Sequence, residues 1–173
     1  MYNKAGRYIL IAIFAVSALV SLYIQQYQLA SISGMLAAFI LWSHFKHGSV
    51  LLASKHFKNS DYERAEKMLD EVENPDHLSK SRRGFYEFMR ANIALKREDY
   101  EKAEFHFQLA SRFPLGGKND KAYVLIHLAN LALRKRDVER VLAYTGKAKE
   151  LATSSRAIEI ISNIEKEANK LAN

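Results

Sequence analysis

Side chains able to do covalent or metal chemistry are sparse in this chain. It has no cysteine, which removes disulfides, thiolate metal ligands and a thiol nucleophile. His44 and His47 stand one helical turn apart with His56 beyond them, a spacing that invites a metal or haem reading, but no carboxylate precedes Asp61 to complete a ligand set. His77, His106 and His127 are scattered singly, the usual pattern of structural histidines. Gly116-Gly117 reads as a lone turn; a glycine-rich phosphate loop, a nucleophile elbow and a paired-His zinc motif are all missing from the sequence. The expectation is a protein that is not an enzyme and holds no metal and no cofactor. What does recur is chemistry suited to binding. Phe88, Asn92 and Lys96 follow one another at one-turn spacing and are answered, at the same spacing, by Ile126, Asn130 and Arg134, so that an apolar group, an amide and a cation lie in rows.

The interval between those two rows also organises the elements that carry them. Asp61-Tyr62-Glu63-Arg64-Ala65 recurs as Asp99-Tyr100-Glu101-Lys102-Ala103 and, more weakly, as Asp137-Val138-Glu139-Arg140-Val141, so the copies open at the evenly spaced positions 61, 99 and 137. A fixed period of this size marks an array of stacked supersecondary units. Each Asp is suited to cap a helix, because its carboxylate accepts orphan backbone N–H bonds and complements the helix dipole. The pattern therefore predicts helical hairpins: 81–96 with 99–113, and 121–134 with 137–151, preceded by a shorter copy whose second helix covers 61–72. The polar stretch 73–83 reads as a long connecting loop. Thr153-Ser154-Ser155 opens a last helix with Ala157, Ile160, Ile161, Ile164, Ala168 and Leu171 on one face, the form of a cap closing an array.

From about Gly48 to Ala152 the chain resembles tetratricopeptide repeats. The second repeat supplies that family's small, aromatic, small, apolar, small and Pro positions as Ala91, Tyr100, Ala103, Phe107, Ala110 and Pro114. The first supplies Ala53, Tyr62, Ala65, Leu69 and Pro75. The third supplies Ala129, Ala132 and Ala148, but has Val138 where the aromatic belongs and Val141 and Thr145 where a small and a bulky apolar residue are usual. The resemblance implies an all-α fold, a short right-handed α-solenoid of about three helical hairpins plus the capping helix, and it implies protein binding. Similar proteins take a peptide segment or a partner helix against a wall of first helices. Asn92 and Asn130 match the place where family members often carry an Asn that bonds a ligand's backbone. With Lys96 and Arg134 one turn later and Phe88 and Ile126 one turn earlier, they form the expected partner-binding groove, suited to an acidic or C-terminal peptide. Val50 and Ser54 in the first repeat do not match the family's terminal-carboxylate clamp. Tyr62, Tyr100, Ala65 and Ala103 read as core.

Ahead of the repeats the solvent changes. All 19 acidic residues lie beyond position 60, whereas Lys4, Arg7, Lys46, Lys55 and Lys58 give the stretch up to Lys58 a charge of +5. The basic balance thus describes a membrane flank more than a nucleic-acid footprint. The stretches 8–24 and 29–45 are two runs of equal length free of Lys, Arg, Asp and Glu, joined by Gln25-Gln26-Tyr27-Gln28. They read as two antiparallel transmembrane helices. Basic residues outside both ends place the N-terminus and the repeats on the cytoplasmic side of an inner (cell) membrane, taken as bacterial from the compact anchor. A cleaved signal peptide fits less well, since no small-residue cleavage motif follows the first run. Tyr23, Tyr27 and Trp42 suit interfacial belts. Ser17 and Ser21 in the first run, and Ala30, Gly34 and Ala38 in the second, recur every four residues; small residues at that spacing let helices pack closely in lipid, here foremost against each other. The second run reads as continuing into the first repeat helix, with a hinge at Gly48 as the alternative. The expected domains are a hairpin anchor over 1–45, three repeats over 46–152 and a capping helix over 153–173.

Arg82-Arg83 and Arg134-Lys135-Arg136 lack interleaved aromatic platforms and read as solvated turns or as residues near anionic headgroups, so no nucleic acid is expected as a partner. The chain reads as a membrane-anchored, non-catalytic adaptor or scaffold that binds a protein partner. The alternative is a structural subunit of a larger integral membrane complex whose main interface is the transmembrane pair. Three repeats are near the minimum for a stable array, which leaves room for packing against a second copy as a homo-oligomer.

Overall fold

A computed structural model describes residues 4–47 and 49–172. All regular structure among them is helical. In chain order the elements are α1 (Lys4–Tyr23), α2 (Tyr27–His47), α3 (Val50–Lys58), α4 (Tyr62–Asp70), a 3₁₀ turn at Pro75–His77, α5 (Lys80–Lys96), α6 (Tyr100–Arg112), α7 (Lys118–Arg134), α8 (Val138–Leu151) and α9 (Ser155–Ala172). They form two compact units, one up to Arg82 and one from Arg83 onward.

In the first unit α1 and α2 pack as a hairpin. Ser17 Oγ lies 3.3 Å from Ser33 Oγ across the pair, and Ser21 and Ala30 are buried at 7% exposure each. The remaining small residues do not join that contact. Gly34 is exposed, with no atom within 4 Å of where a Cβ would sit, and Ala38 is exposed too, because the α2 residues turned inward are Ala30, Ser33 and Ala37. Among the described residues no helix is long and apolar enough to cross a membrane, so the expectation of two spans is not carried by the structure. The shortness of the charge-free runs 8–24 and 29–45 accords with this: each rises only about 26 Å against a hydrocarbon core of about 30 Å.

The second run does not continue as the first repeat helix. α2 ends at His47 and α3 begins at Val50; the predicted hinge, Gly48, lies outside the described residues. Ser49, at the N-terminus of α3, is buried at 4% exposure and donates through Oγ to the Glu71 carboxylate, which ties the start of α3 to the end of α4. The expected loop over 73–83 is also shorter than read. Asn74 Oδ1 accepts from the Asp76 N–H at 2.9 Å, Pro75 opens a 3₁₀ turn, Leu78 is buried, and α5 is already under way at Lys80.

One turn builds every hairpin. Asp61, Asp99 and Asp137 each accept the backbone N–H three residues on, at 3.0–3.1 Å. The residue before each, Ser60, Glu98 and Arg136, sits in the left-handed region at φ 60°, 61° and 57°. The N–H of each Asp reaches back five residues to a carbonyl, that of His56, Ala94 or Ala132, at 3.0 Å. This is the paired-bond ending in which a left-handed residue closes a helix, followed at once by the cap of the next. The α1–α2 turn has the same backbone: Gln25 has φ 59° and the Gln26 N–H bonds the Ser21 carbonyl at 2.9 Å. It differs in having Gln26 where the repeats have Asp.

In the second unit α6 and α8 pack on α7, α9 lies on α7 and α8, and α5 meets α6 through Glu87–His106 and Phe88–Phe107, a helical-repeat-like architecture. Ala91, Ala103, Ala110, Ala129 and Ala132 are at most 1% exposed, which lets helix axes approach, and Phe107 fills the space between them at 0%. The departures of the third copy are absorbed: Val141 and Thr145 are both fully buried, and the Thr145 hydroxyl is satisfied by the Leu142 carbonyl at 3.2 Å. Gly84 permits another close approach. A Cβ there would stand 2.7 Å from the Pro114 carbonyl oxygen, where the 113–115 segment crosses α5. α7 starts earlier than read, at Lys118, because the Asp120 carboxylate accepts the Gly117 N–H at 2.7 Å. Asn119 Oδ1 takes the Thr153 N–H at 2.8 Å, and Ser154 Oγ the Ala157 N–H at 3.3 Å, which fixes the entry to α9.

Candidate partner-binding groove

An open cavity of about 400 Å³ lies between the C-terminal parts of α5 and α7, lined by Leu95, His127, Asn130, Leu131, Leu133 and Arg134. Its floor is apolar because the leucines belong to the inner faces of both helices. The imidazole of His127 stacks on the Phe107 ring, centroids 4.7 Å apart and planes within 8°. Burial holds the His127 pKa below its ordinary value, since desolvation penalises the charged form. At the rim the Arg134 guanidinium lies 3.7 Å from the centroid of Tyr100, a cation–π contact that fixes the cation while leaving its N–H edge for a ligand.

Of the six groove residues read from the sequence, Asn130 and Arg134 meet at this cavity. Asn92 does not behave as its counterpart Asn130 does: its amide nitrogen donates to the Phe88 carbonyl at 2.8 Å, within its own helix. Phe88 packs edge-on against Phe107 at 6.3 Å, and Ile126 is only 3% exposed, so both are core surface rather than groove wall. Lys96 ends α5, exposed, next to Leu95. His127 and Leu95 were passed over because nothing in the sequence says which side of a helix faces a gap between hairpins.

Two carboxylates that no motif in the sequence singles out, Glu87 and Glu104, are buried. Glu87 is 1% exposed, with Arg83 Nε at 2.6 Å and His106 Nδ1 at 2.5 Å from its two oxygens. Glu104 is 7% exposed and takes Lys135 Nζ at 2.5 Å and Arg140 Nη1 at 2.9 Å, joining α6 to the α7–α8 turn. The period would have flagged the first. Ser49, Glu87 and Leu125 stand at corresponding places in the three copies, and all three are buried. Asp137 is held below the usual carboxylate range by the Arg140 backbone N–H and then by the Arg140 side chain, whose own pKa rises in return.

No family model, curated protein or solved structure matches the chain. The groove offers an apolar floor, a fixed cation, an amide and an imidazole whose charged form burial disfavours, which together can bind and orient.

Proposed function

We infer that the chain is a membrane-anchored, non-catalytic adaptor. The α1–α2 hairpin inserts into a bilayer, and the hairpins from α3 to α8, which resemble tetratricopeptide repeats, take a segment of a protein partner in the α5–α7 groove. The observation that carries this reading is where apolar surface is left uncovered. Of the 22 large apolar side chains exposed among the described residues, 17 lie between Tyr8 and Trp42. Water does not tolerate so continuous a patch, and a bilayer removes it. Lys4, Arg7 and Lys46 lie at the far ends of the two helices from the Gln-rich tip, so the hairpin enters from one side and leaves the repeats there, on the cytoplasmic side by the positive-inside rule. The groove then acts by holding its partner at the membrane, where effective concentration favours further contacts.

The absence of cysteine makes the test clean. A single cysteine at Gln26 in native membranes reacts with an impermeant maleimide from the opposite side if the hairpin crosses, and from neither side if it stops within the bilayer. Reaction from the side of the repeats removes the anchor. A photoreactive residue at Asn130 then captures the partner; no discrete adduct there removes the adaptor.

Gly34 and Ala38 favour a second reading, an integral subunit of a larger membrane complex, because they face away from α1 and permit a close approach by another helix. Gly34→Leu should dissociate such a complex on native gels and leave adducts from Asn130 unchanged.

A further inference from the structure

Resting on that reading of the groove, its lining also specifies the ligand. The cavity contains three leucines, Leu95, Leu131 and Leu133, against which a branched apolar side chain fits, and no acidic residue. Its polar groups are Asn130, Arg134 and His127. Among the described residues no hydrogen bond or ion pair engages the side chain of Asn130 or Arg134, in contrast to Asn92. Charge complementarity therefore favours an anion beside the apolar group. His127 is the one titratable group in the lining other than Arg134. α6 presents Phe107 and, under Arg134, Tyr100, neither of them charged at neutral pH. α5 contributes Leu95, with exposed Lys96 following it, and α8 and α9, which also pack on α7, contribute nothing to the lining.

The geometry points to a partner segment that carries a carboxylate next to a branched aliphatic side chain, bound with uptake of a proton at His127. In the free protein, burial disfavours an imidazolium at His127. A carboxylate entering the cavity that Arg134 and His127 both line brings a negative charge that favours the imidazolium and offsets part of that desolvation. The proton comes from solvent and sits on the imidazole, so binding of the anion strengthens as pH falls towards the range in which His127 titrates. Linkage makes the effect reciprocal: the ligand raises the proton affinity of His127 by the factor that the proton raises affinity for the ligand.

The experiment uses the full chain in lipid nanodiscs with ¹³C-labelled histidine. The probes are N-acetylleucine, with a terminal carboxylate, N-acetylaspartyl-leucinamide, with a side-chain carboxylate, and the neutral N-acetylleucinamide. One or both acids should shift the His127 ring resonances and raise its pKa by about one unit, hence bind about tenfold more tightly on the acid side of the titration than on the alkaline side; which acid does so identifies the source of the carboxylate. His127→Phe, which keeps a ring on Phe107, should bind the acids no more tightly at any pH than the wild type does on the alkaline side of its titration, so that the pH dependence is lost. Arg134→Gln should weaken the acids and leave the amide unchanged. The inference is overturned if acid and amide bind alike, if neither acid moves the His127 signals, or if the pH dependence survives in His127→Phe. Capture of a protein from Asn130 together with any of those results would leave the adaptor standing and remove only the carboxylate.

Discussion

Glu98 occupies a backbone conformation that suits it poorly. At φ 61° a side chain costs about 1–2 kcal/mol relative to its right-handed alternatives, and glycine avoids that cost while losing some entropy on folding. Glu98→Gly should therefore stabilise the chain by about 0.5–1 kcal/mol, seen as a higher urea midpoint at unchanged slope; a lower midpoint would mean that the Glu98 side chain contributes more than its backbone costs. Glu87 pulls the other way. With its carboxylate 1% exposed between Arg83 and His106, Glu87→Ala strands both partners and should cost about 3 kcal/mol. Glu87→Leu, which imitates Leu125 in the next copy, should cost less, since an apolar residue can replace a buried ion pair at little loss. Equal losses from the two would assign the cost to packing rather than to charge. His127 sets a pH signature. Its folded pKa lies below the unfolded value of 6.5, so its contribution is complete above that value and is lost as pH falls from 6.5 towards the folded pKa. Denaturation midpoints should drop as pH falls below about 6.5, and His127→Phe should reduce the drop.

Among the elements, the hairpin turn was legible because it is written in local chemistry: an Asp at 61, 99 and 137 supplies both the spacing and the cap. What could not be read was the left-handed residue ahead of it. Ser60, Glu98 and Arg136 are not the Gly or Asn that mark such a position, and only the backbone shows that they share one conformation. The same holds for the α1–α2 turn, which reuses that backbone without the Asp. The groove was half legible. Asn130 and Arg134 follow from the period, but Leu95 and His127 enter because α5 and α7 leave a gap between them, and Ile126 is excluded because it faces inward. Gly84 belongs to this scale too. Its missing Cβ lets the 113–115 segment cross α5, and the nearest atom, the Pro114 carbonyl oxygen, is backbone and cannot rotate away. Gly84→Ala should thus cost about 1–3 kcal/mol through forced displacement, although alanine is the better helix former. A gain in thermal midpoint would show that the segment yields freely.

At the scale of the whole molecule, exposed apolar surface is distributed unevenly. Beyond Leu51 only Phe105, Leu142, Ile158 and Leu171 are large apolar side chains left exposed among the described residues, dispersed as on any soluble surface, whereas those from Tyr8 to Trp42 form nearly the whole outer face of a hairpin. The energetic consequence follows from area. Each such side chain, half exposed, returns about 1 kcal/mol when removed from water, so 17 of them exceed the stability of a typical domain. On the proposed reading that surface is taken out of water, by lipid or by a protein partner. Two variants separate the cases. A chain lacking residues 1–47 keeps the α3–α4 hairpin and the second unit intact, and should move from the membrane pellet to the soluble fraction. Leu36→Lys with Phe39→Lys, both on exposed positions of α2, should impair membrane retention, because each charge in hydrocarbon costs a few kcal/mol. Retention of the truncated chain in membranes washed with high salt would show that the remaining residues carry their own anchor. If the double lysine variant stays in the membrane but loses a co-purifying protein, the outer face of α2 is a protein interface and the hairpin's apolar surface is covered by a partner instead of by lipid.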